Sequence, residues 1–597
     1  MSSRKCLRFL RPYLYESVPA NKAVYTRFFA AYHSLGQSHS SCGAVRSVAL
    51  HSKNLHTSAR KSAGTPSRAS DDDESLSLSA RADVVDARIQ KLKQYNSLRY
   101  PRLESRENRM SIPEFREKYR DEGSTPAGDE VVLEGRVMSV RRVGSKLVFF
   151  HVMSGYQQVQ IMVDLAALSS PQPTAQEFKD SLHPFQRGDI VSVTGKAVRT
   201  KKGELTLSAT EIPKILSPSL AHLPQRLTNE ETLVLNRHVD LLINRRASDI
   251  LRVRSHIIRS LRDFFHAKDF LEVQTPILAD YAGGAIARPF LTSATEFPHK
   301  ELTLRIAPEL WLKRLVVGGN DKVFEIGPAF RNEGLDTTHN PEFTICEFYS
   351  AYTNLPGLMS ITENLITHII QSVDSLIQTQ LASLQRPATA LLEGQWKRVE
   401  FIPALEEILG FKFPDLSDSG ALDKLIGLLH GRENFNIVPG VTLNKLLDQL
   451  AGTYLEPFSL ENPLFIMNHP ACMSPLSKSF TCPKTGQLVS ARAELFIQER
   501  EIANMYEEEN DPFEQRRKFE LQIKARGDGT VTDEEIPSRI DESYIGALEH
   551  GLPPTGGWGC GIDRLVMLLS GAPRIADTLS FGSLRNVVSL SQVAQDA

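Results

Sequence analysis

An arginine and a glutamate are placed for ligand binding on two neighbouring strand-like segments. Arg331 ends the run KVFEIGPAFR, and the run EFTICEFY follows after a loop. An arginine, charged at any accessible pH, is suited to bridging a carboxylate and a phosphate. A glutamate on the second strand can recognise a cation, and the alternative is an ordinary ion-paired strand. Side chains two residues apart project from one face of a strand, and that face holds Phe343, Ile345, Glu347 and Tyr349.

Two further segments contain groups that bind metal or phosphate. Glu494 and Glu501 lie seven residues apart around ELFIQERE, and Mg²⁺ usually takes one or two carboxylates together with substrate phosphates. Solvated acids are the alternative in this acid-rich region. The run GLPPTGGWGCGIDRL holds five glycines, and its Arg564 lies where an apolar helix begins, so it can reach a phosphate. This run is neither a P-loop nor a dinucleotide-binding fingerprint, and a packed glycine-rich strand is its alternative.

Composition and charge exclude several classes of protein. The chain has 597 residues, 41% hydrophobic and 23% charged, which is typical of a multidomain globular protein rather than a disordered or fibrous one. Residues 1–70 hold eleven Lys and Arg against one acid, so the remainder carries 58 basic and 70 acidic side chains, a formal charge of −12. Nucleic acid would therefore bind through local basic patches.

The cysteines and the apolar runs exclude further classes. Six cysteines without CxxC spacing indicate neither a disulfide framework nor a zinc site. No apolar run is long enough to span a membrane.

The N-terminal segment has the composition of a targeting peptide. It is rich in Arg and Ser, and basic residues alternate with apolar ones between Arg4 and Leu14. A basic amphipathic helix of this kind is typical of an organelle transit peptide, whereas a disordered tail that binds nucleic acid is the alternative. The sequence predicts a transit peptide over 1–65.

Hydrophobic periodicity divides the rest of the chain into three parts, which predict an α+β fold. Residues 66–127 are predicted to be helical. Over 128–218, five short strands with period two suggest an OB-fold barrel, which is either structural or binds nucleic acid. Residues 235–597 alternate helices and strands, with a less regular insertion near 378–480. Within 66–127, the spacing of four apolar residues predicts that they lie on roughly one helix face: Val84, Ile89, Leu92 and Tyr95.

Three segments resemble the signature motifs of the class II aminoacyl-tRNA synthetases. FLEVQTPIL (270–278) resembles motif 1, FRNEGLDTTHNPEFTICEFY (330–349) resembles motif 2, and GLPPTGGWGCGIDRL (551–565) resembles motif 3. A barrel ahead of the catalytic part is typical of the subgroup specific for lysine, aspartate and asparagine. The runs RIAPELWLKRLVVGG, HNPEFT and DESYIGALEHGLPPT are similar to its lysyl members, and the likeness covers roughly residues 85–585.

This resemblance implies a fold, a reaction and partners. The fold is an OB-fold β-barrel followed by a six-stranded antiparallel sheet with flanking helices, and motif 1 lies at a homodimer interface. The reaction is the activation of L-lysine by ATP, with Mg²⁺, followed by transfer of the lysyl group to the 3′ end of tRNA(Lys). Together with the basic N-terminus, the resemblance implies that the enzyme is located in the mitochondrial matrix and does not associate with a membrane.

The resemblance also implies roles for individual residues. Arg331 would bridge the lysine carboxylate and the α-phosphate, while Arg564 would cover adenine and reach the γ-phosphate. Glu494 and Glu501 would bind Mg²⁺. The remaining contacts would be Glu333, His339, Asn340 and Phe343 for ATP, Gly283, Gly284, Glu309, Glu347, Tyr349, Asn504 and Glu508 for lysine, and Arg136, Phe149, Gln160 and Glu204 for the anticodon.

Three positions depart from the family pattern. Met505 replaces a usual glycine, Thr338 stands where an arginine often precedes His-Asn-Pro, and Ala576 replaces a usual arginine. These changes bear on fine geometry and turnover rather than on the reaction class.

Three rival functions fit the residues less well. Glu347 disfavours the aspartyl and asparaginyl enzymes, since an anionic side chain would need basic partners. The motif 2 and motif 3 residues disfavour a module that only binds RNA. The leading barrel disfavours a protein-lysylating ligase, which lacks one.

Overall fold

A computed structural model describes the chain within residues 78–588. The transit peptide predicted over 1–65 lies outside the described residues. Within the described part of the chain, no helix combines the length and apolar character needed to cross a bilayer. The description omits 104, 106, 121–128, 228, 230–232, 234, 281–282, 285–286, 388–395, 432–434, 436 and 528–539.

The segment predicted to be helical over 66–127 contains two helices with non-helical chain between them. They are α1 (Leu78–Gln94) and α2 (Ile112–Lys118), and a two-residue strand, β1 (Arg109–Met110), precedes the second. Pro101 interrupts the helical pattern because it lacks a backbone N–H. Ser111 then starts α2 through a capping box with Glu114.

The buried face of α1 differs from the one predicted. Val84 is exposed, whereas Arg88 and Leu92 are buried. Because these two residues are four apart, they lie on one helix face. The Arg88 guanidinium donates to both carboxylate oxygens of Asp189, at 2.9 and 3.0 Å, and to the carbonyl of Pro184 at 2.6 Å. A buried ion pair therefore attaches the helix to the barrel, where the periodicity had predicted an apolar contact.

The predicted OB-fold is confirmed as a closed five-stranded barrel. The long first strand pairs with its successor through 136–143 and with the fourth barrel strand through 130–136, and this double pairing closes the barrel. Inward-facing apolar side chains such as Val137, Phe150 and Ile161 are fully buried inside it. Its elements are β2 (Glu130–Val143), β3 (Leu147–Ser154), β4 (Gln157–Asp164), α3 (Ala175–Leu182), β5 (Ile190–Arg199), β6 (Leu205–Ala209) and the appended β7 (Lys214–Ser217).

The second part is built on an eight-stranded sheet with six antiparallel strands in the middle. The order is β14-β15-β18-β19-β20-β13-β12-β8, and both edge strands pair in parallel with their neighbours. The six-stranded antiparallel sheet expected from the resemblance is therefore present, with one short strand added at each edge. The strands after the barrel are β8 (Leu271–Glu272), β9 (Leu278–Ala279), β10 (Leu291–Ala294), β11 (Phe297–Leu304), β12 (Lys322–Phe330), β13 (Glu342–Ala351), β14 (Lys397–Glu400), β15 (Leu464–Met467), β16 (Ser479–Thr481), β17 (Leu488–Ser490), β18 (Arg492–Ile497), β19 (Arg500–Glu507) and β20 (Thr555–Gly561).

Long amphipathic helices cover one face of this sheet. In the first long helix, Val253, Ile257, Leu261 and Phe265 recur at spacings of four and are completely buried. Phe265 packs against Phe324, Phe348 and Trp558 of the sheet. The helices are α4 (Arg237–Ile243), α5 (Arg245–His266), α6 (Glu309–Val317), α7 (Leu355–Gln380), α8 (Phe401–Leu409), α9 (Ala421–Leu429), α10 (Leu443–Tyr454), α11 (Pro512–Gly527), α12 (Glu542–Leu548), α13 (Ile562–Ser570) and α14 (Ile575–Thr578).

The region near 378–480 is more regular than its sequence suggested. Helices α8, α9 and α10 enclose an apolar core of their own that includes Ile402, Leu425 and Leu447. The strands β14 and β15 from the same region belong to the large sheet. The Pro and Gly residues that break the pattern lie between these short elements, so the segment is only partly an insertion.

Candidate active site and barrel face

A cavity of about 540 Å³ lies on the face of the large sheet opposite α5 and α7. Its walls come from β13, β18, β19 and β20, and from the loop between β12 and β13. Of the residues predicted to take part in catalysis or to bind nucleotide, lysine or metal, all but Glu508 line this cavity. They are Gly283, Gly284, Glu309, Arg331, Glu333, His339, Asn340, Phe343, Glu347, Tyr349, Glu494, Glu501, Asn504 and Arg564.

Glu508 lies against the glycine-rich strand, on the face that Tyr349 shares. A Cβ atom added to Gly557 would lie 1.9 Å from Glu508 Oε1 and 2.7 Å from the Tyr349 ring. Position 557 therefore accepts only glycine while the carboxylate keeps this place. The glycines of β20 bring buried acidic side chains close to the strand that forms the cavity floor.

The predicted face of β13 is confirmed, because all four of its side chains line the cavity. At the outer end, the Arg331 guanidinium lies 5.1 Å from the centre of the Phe343 ring. The Nε of Arg331 is buried without a hydrogen-bond partner among the described residues. A buried donor of this kind is costly unless a ligand satisfies it, which suits an anion beside the Arg331 guanidinium.

At the inner end of β13, Glu347 is almost completely buried. Tyr349 Oη donates a hydrogen bond to Glu347 Oε2 at 3.2 Å. Burial, assisted by repulsion from Glu309, raises the pKa of Glu347 to about 8. A carboxylate of this kind is poorly compensated by the protein groups around it, and a cationic ligand would supply the missing charge.

Two further carboxylates share one buried ammonium group beside Glu347. Lys313 Nζ lies 2.5 Å from Glu309 Oε1 and also forms an ion pair with Glu508. Tyr506 Oη donates to Glu309 Oε2 at 2.8 Å. Although burial alone would lower it, Glu309 and Glu508 hold the pKa of Lys313 well above its ordinary range. This end of the cavity is therefore an acidic pocket with a fixed internal cation.

Gly284 brings a loop against this acidic pocket. Its φ is +96°, and a Cβ atom there would lie 2.9 Å from the Cβ of Glu309. Its backbone conformation and its closeness to α6 both require glycine. The backbone at Gly284 thus lies against the side chain of Glu309.

Glu494 is held as a carboxylate at another corner of the cavity. Arg492 forms an ion pair with Oε1, and His469 Nε2 lies 3.1 Å from Oε2. Although burial opposes ionisation, Arg492 and then His469 hold the pKa of Glu494 well below its ordinary value. Asn504 is tied into the same group, because it accepts from Arg492 Nε at 3.1 Å. This ionised oxygen donor is a suitable ligand for a hard cation.

A shift in strand register turns Glu501 towards the same cavity. Glu494 is opposite Asn504, but Phe496 is opposite Glu501, so the register shifts between these two pairs. Regular pairing would place Ile502 on the face of Glu494. Among the residues that the structure describes, no three His, Cys, Asp or Glu side chains are grouped as a metal site. The carboxylates of Glu494 and Glu501 both line the cavity, and two carboxylates leave further coordination positions to a ligand.

Arg564, at the start of α13, links Glu501 to the motif 2 loop. Its Nη1 lies 3.1 Å from Glu501 Oε2, and its Nη2 lies 3.0 Å from His339 Nε2. Because the arginine donates to Nε2, His339 Nδ1 is left to donate to Asp336 Oδ2 at 2.8 Å. The guanidinium and the imidazole together form a polar wall opposite Phe343.

Glu333 and Asn340 both line the cavity but differ in their exposure to solvent. Glu333 is exposed, whereas Asn340 is buried. The Asn340 amide donates to the carbonyl of Glu342 at 2.5 Å and accepts from the backbone N–H of Leu584 at 3.1 Å. Asn340 therefore fixes the turn before β13, and Glu333 is free to meet a ligand from solvent.

The predicted aromatic and amide residues share one outer face of the barrel. Phe149 on β3 is partly exposed, and Gln160 on the neighbouring β4 donates to Glu204 at 3.0 Å. Arg136 lies further along β2, opposite Met153, and its guanidinium donates to the Gly188 carbonyl at 2.8 Å. The arginine beside the aromatic ring is instead Arg141, whose guanidinium lies 4.9 Å from the Phe149 ring centre.

Comparisons with known proteins match both the barrel and the part of the chain that holds the cavity. A family model described as "tRNA synthetases class II (D, K and N)" matches residues 229–585, and one described as "OB-fold nucleic acid binding domain" matches 131–215. A mitochondrial lysine–tRNA ligase of Schizosaccharomyces pombe is 42% identical over 82% of this chain and 91% of its own length. A lysine–tRNA ligase of Carboxydothermus hydrogenoformans is 38% identical over 76% and 89%, and the ligase cla4 of Cladosporium cladosporioides is 36% identical over 86% of both chains.

The chain belongs to the class II tRNA synthetases, and within them to the lysine–tRNA ligases. The predicted family and enzyme class are thereby confirmed. The roles predicted for individual residues remain predictions, although the structure gathers the catalytic set around one cavity.

The three departures from the family pattern lie in different surroundings. Met505 is fully buried and accepts a hydrogen bond from Thr362, so its side chain points into the core and away from the cavity. Thr338 donates to Asp336 and so supports the loop that carries His339. Near Ala576, Arg574 pairs with Asp577 at 3.0 Å. Met505, which replaces the usual glycine, therefore does not line the cavity.

Sequence reasoning missed several residues that this ligase uses to arrange its charges. Lys313 had a usable signal, since it lies four residues after Glu309 on one helix face. Arg492 also had one, since it lies two residues before Glu494 on one strand face. His469 had none, because 25 residues separate it from Glu494 in the chain.

Proposed function

We propose that this lysine–tRNA ligase activates L-lysine with ATP and transfers the lysyl group to the 3′ end of tRNA(Lys) in mitochondria. The observation that carries the proposal is the acidic pocket of Glu309, Glu347 and Glu508 at one end of the cavity that Arg331, Phe343 and Arg564 enclose at the other. One end is complementary to a diammonium amino acid. The other end is complementary to an aromatic base that carries phosphates.

In the lysine half, charge complementarity selects the side chain. Glu347 and Glu508, with Tyr349, receive the ε-ammonium group, while Glu309 and the backbone at Gly283 and Gly284 receive the α-ammonium group. Asn504 contacts the substrate carboxylate. Charge-assisted hydrogen bonds of this kind are about twice as strong as neutral ones, and an apolar side chain of the same length would leave the carboxylates uncompensated.

In the nucleotide half, Phe343 stacks on adenine, and Arg564 covers the other face of the base and reaches the γ-phosphate. Glu333, His339 and Asn340 hold the rest of the nucleotide. Arg331 bridges the lysine carboxylate and the α-phosphate, so it brings the two reacting groups together.

The chemical step needs no covalent enzyme intermediate. A carboxylate oxygen of lysine attacks the α-phosphorus, the bond to the bridging oxygen breaks, and pyrophosphate leaves with that electron pair. The 3′-terminal ribose hydroxyl of the tRNA then attacks the lysyl carbonyl, and AMP leaves. The protein contributes positioning and charge neutralisation, mainly through its arginines.

The residues at the metal corner fit Mg²⁺. Glu494 is held ionised by Arg492, and Glu501 faces the same cavity. Two carboxylates with open positions are what Mg²⁺ takes when substrate phosphates complete its coordination. The bound ion would neutralise phosphate charge, while Glu494 and Glu501 hold it beside Arg564.

The barrel reads the anticodon in this proposal. Phe149 stacks on one base, Gln160 and Glu204 read its edge, and Arg136 lies at the end of the same sheet. Single-stranded bases are commonly recognised by such aromatic and amide sets. The stacking of Arg141 on Phe149 adds a positive charge where an RNA backbone would pass.

Dimerisation and localisation complete the proposal. Large apolar side chains around motif 1 are exposed, among them Leu271, Ile277 and Leu278, and a second copy of the chain would cover them in a homodimer. The basic, acid-poor N-terminus and the mitochondrial relative from Schizosaccharomyces pombe both support import into the matrix.

Lysine-dependent ATP–pyrophosphate exchange tests the function directly. Each of the twenty amino acids is offered separately to the full chain, and lysine alone should support exchange. Aminoacylation of tRNA(Lys) under the same conditions should follow. Exchange with aspartate or asparagine, or none with lysine, would refute the proposal.

A further inference from the structure

Lys313 is an unusual neighbour for a pocket that would bind lysine. Its side chain is completely buried, and its ammonium group contacts the carboxylates of Glu309 and Glu508. The same ammonium group lies 5.9 Å from the Tyr349 ring centre and 5.7 Å from that of Tyr506. A buried ammonium is expensive to desolvate unless it is paired, so this position is supported by two acids at once.

We propose that Lys313 is a positioning residue for lysine recognition, an internal cation that holds the carboxylates of Glu309 and Glu508 correctly spaced for the two ammonium groups of the substrate. This inference rests on the lysine-binding roles proposed above. Lys313 itself does not line the cavity, so it acts through the two carboxylates.

Charge balance explains why such a cation is needed. Glu309, Glu347 and Glu508 together would place three negative charges in one buried pocket. Among the residues that the structure describes, Lys313 is the cation in contact with two of them, Glu309 and Glu508. With all three acids ionised, it reduces the pocket charge to −2, which balances the charge of +2 on two ammonium groups. A substrate with a neutral side chain would bring only one of these charges and leave one carboxylate uncompensated.

Spacing gives a second reason. The ammonium group lies between Glu309 on α6 and Glu508 at the end of β19. Without a cation there, the two carboxylates would repel and share a proton or rotate apart. The other groups that face this point are the phenol rings of Tyr349, Tyr506 and Tyr544, which carry no charge at neutral pH. Lys313 is therefore the cation that holds the two carboxylates together, and its charge opposes the rise that burial causes in the pKa of Glu508.

The chain offers a matched control in a second buried lysine. Lys518 is largely buried on α11, and its ammonium group lies 2.7 Å from Glu509 Oε2 and 2.6 Å from the Ser477 carbonyl. Its partner is the residue next to Glu508, but neither Lys518 nor Glu509 lines the cavity. A loss of stability from an unpaired buried acid should thus arise in both variants, while a loss of lysine recognition should arise in only one.

The test compares Lys313→Met and Lys518→Met with the parent enzyme in ATP–pyrophosphate exchange. For Lys313→Met, we expect the KM for lysine at pH 7 to rise on the order of 100-fold, with the KM for ATP within about threefold. That lysine KM should also fall by up to roughly tenfold per pH unit as pH rises, because binding must release the proton shared by Glu309 and Glu508. Lys518→Met should lower the melting temperature and leave the lysine KM unchanged.

Lys313→Gln covers the case in which the methionine variant fails to fold. Glutamine keeps one hydrogen bond to a carboxylate but lacks the charge, so the lysine KM should rise with the same added pH dependence. A folded Lys313→Gln enzyme with a lysine KM within threefold of the parent at pH 7 would overturn the proposal. So would equal rises in the KM values for lysine and ATP. If the parent enzyme shows no lysine-dependent exchange, the proposed function fails instead, and this separates the two ideas.

Discussion

The raised pKa of Glu347 makes lysine binding sensitive to pH. Burial raises this pKa to about 8, so at pH 7.0 only about a tenth of the molecules without bound lysine hold an ionised Glu347. Binding the ε-ammonium group requires the carboxylate, and ionising it at pH 7.0 costs about 1.4 kcal/mol. The apparent KM for lysine should therefore fall about eightfold between pH 7.0 and pH 8.5, as the ionised fraction increases.

Glu347→Gln is the perturbation that isolates this effect. Glutamine is nearly isosteric and can still accept from Tyr349, but it cannot ionise. We expect the lysine KM of this variant to be raised on the order of 10²–10³-fold, from the lower part of the cost of breaking a buried charge pair. The part of the pH dependence that comes from position 347 should disappear, while titration of the substrate affects both enzymes equally. The KM for ATP should change little.

The stability of Glu347→Gln, relative to that of the parent, should increase as pH rises. The pKa of Glu347 is raised in the folded state, so between about pH 4.5 and 8 the folded chain binds more protons at this site than the unfolded chain. The stability contributed by the proton is thus lost as pH rises through this window. Glu347→Gln should therefore gain stability relative to the parent, by up to about 2.7 kcal/mol between pH 6 and pH 8.

ATP–pyrophosphate exchange at several pH values, together with thermal melting, decides the matter. A parent enzyme whose lysine KM is constant from pH 7.0 to 8.5 would refute the reasoning about ionisation. A folded Glu347→Gln enzyme with a lysine KM within about threefold of the parent would remove Glu347 from the specificity site, and a melting temperature no higher than that of the parent at pH 8 would contradict the raised pKa.

Three further predictions address the other parts of the molecule. Glu501→Gln should weaken the Mg²⁺ dependence of adenylate formation and slow that step, and an unchanged rate across a Mg²⁺ titration would contradict the metal assignment. Phe149→Ala should remove a base stack worth roughly 1–3 kcal/mol, so aminoacylation should fall while lysine-dependent exchange stays normal; a parallel fall in both would indicate damage to the fold. Deletion of residues 2–65 should leave an active enzyme in the cytosol, and its continued accumulation in mitochondria would disprove the transit peptide.

Local periodicity was enough to predict the elements that carry the site. The alternation along 343–349 placed four side chains on one face, and the structure confirms it, because a strand has only two faces. The barrel strands followed from the same period of two. The face predicted for α1 was right for Leu92, which is buried, and wrong for Val84, which is exposed. The pattern weighted apolar residues and so left out Arg88, which packs against the barrel through Asp189.

The buried ions were harder to predict, because each depends on a partner from a distant part of the chain. Arg88 pairs with Asp189 across 101 positions, and Lys313 pairs with Glu508 across 195. A charged residue read alone on a helix is usually a solvated one, so the sequence favours an exposed side chain. Only the fold shows that a second acid, Glu508, lies beside Lys313. Because both acids pair with it, Lys313 is a buried lysine that contributes to the charge of the pocket, rather than an exposed one.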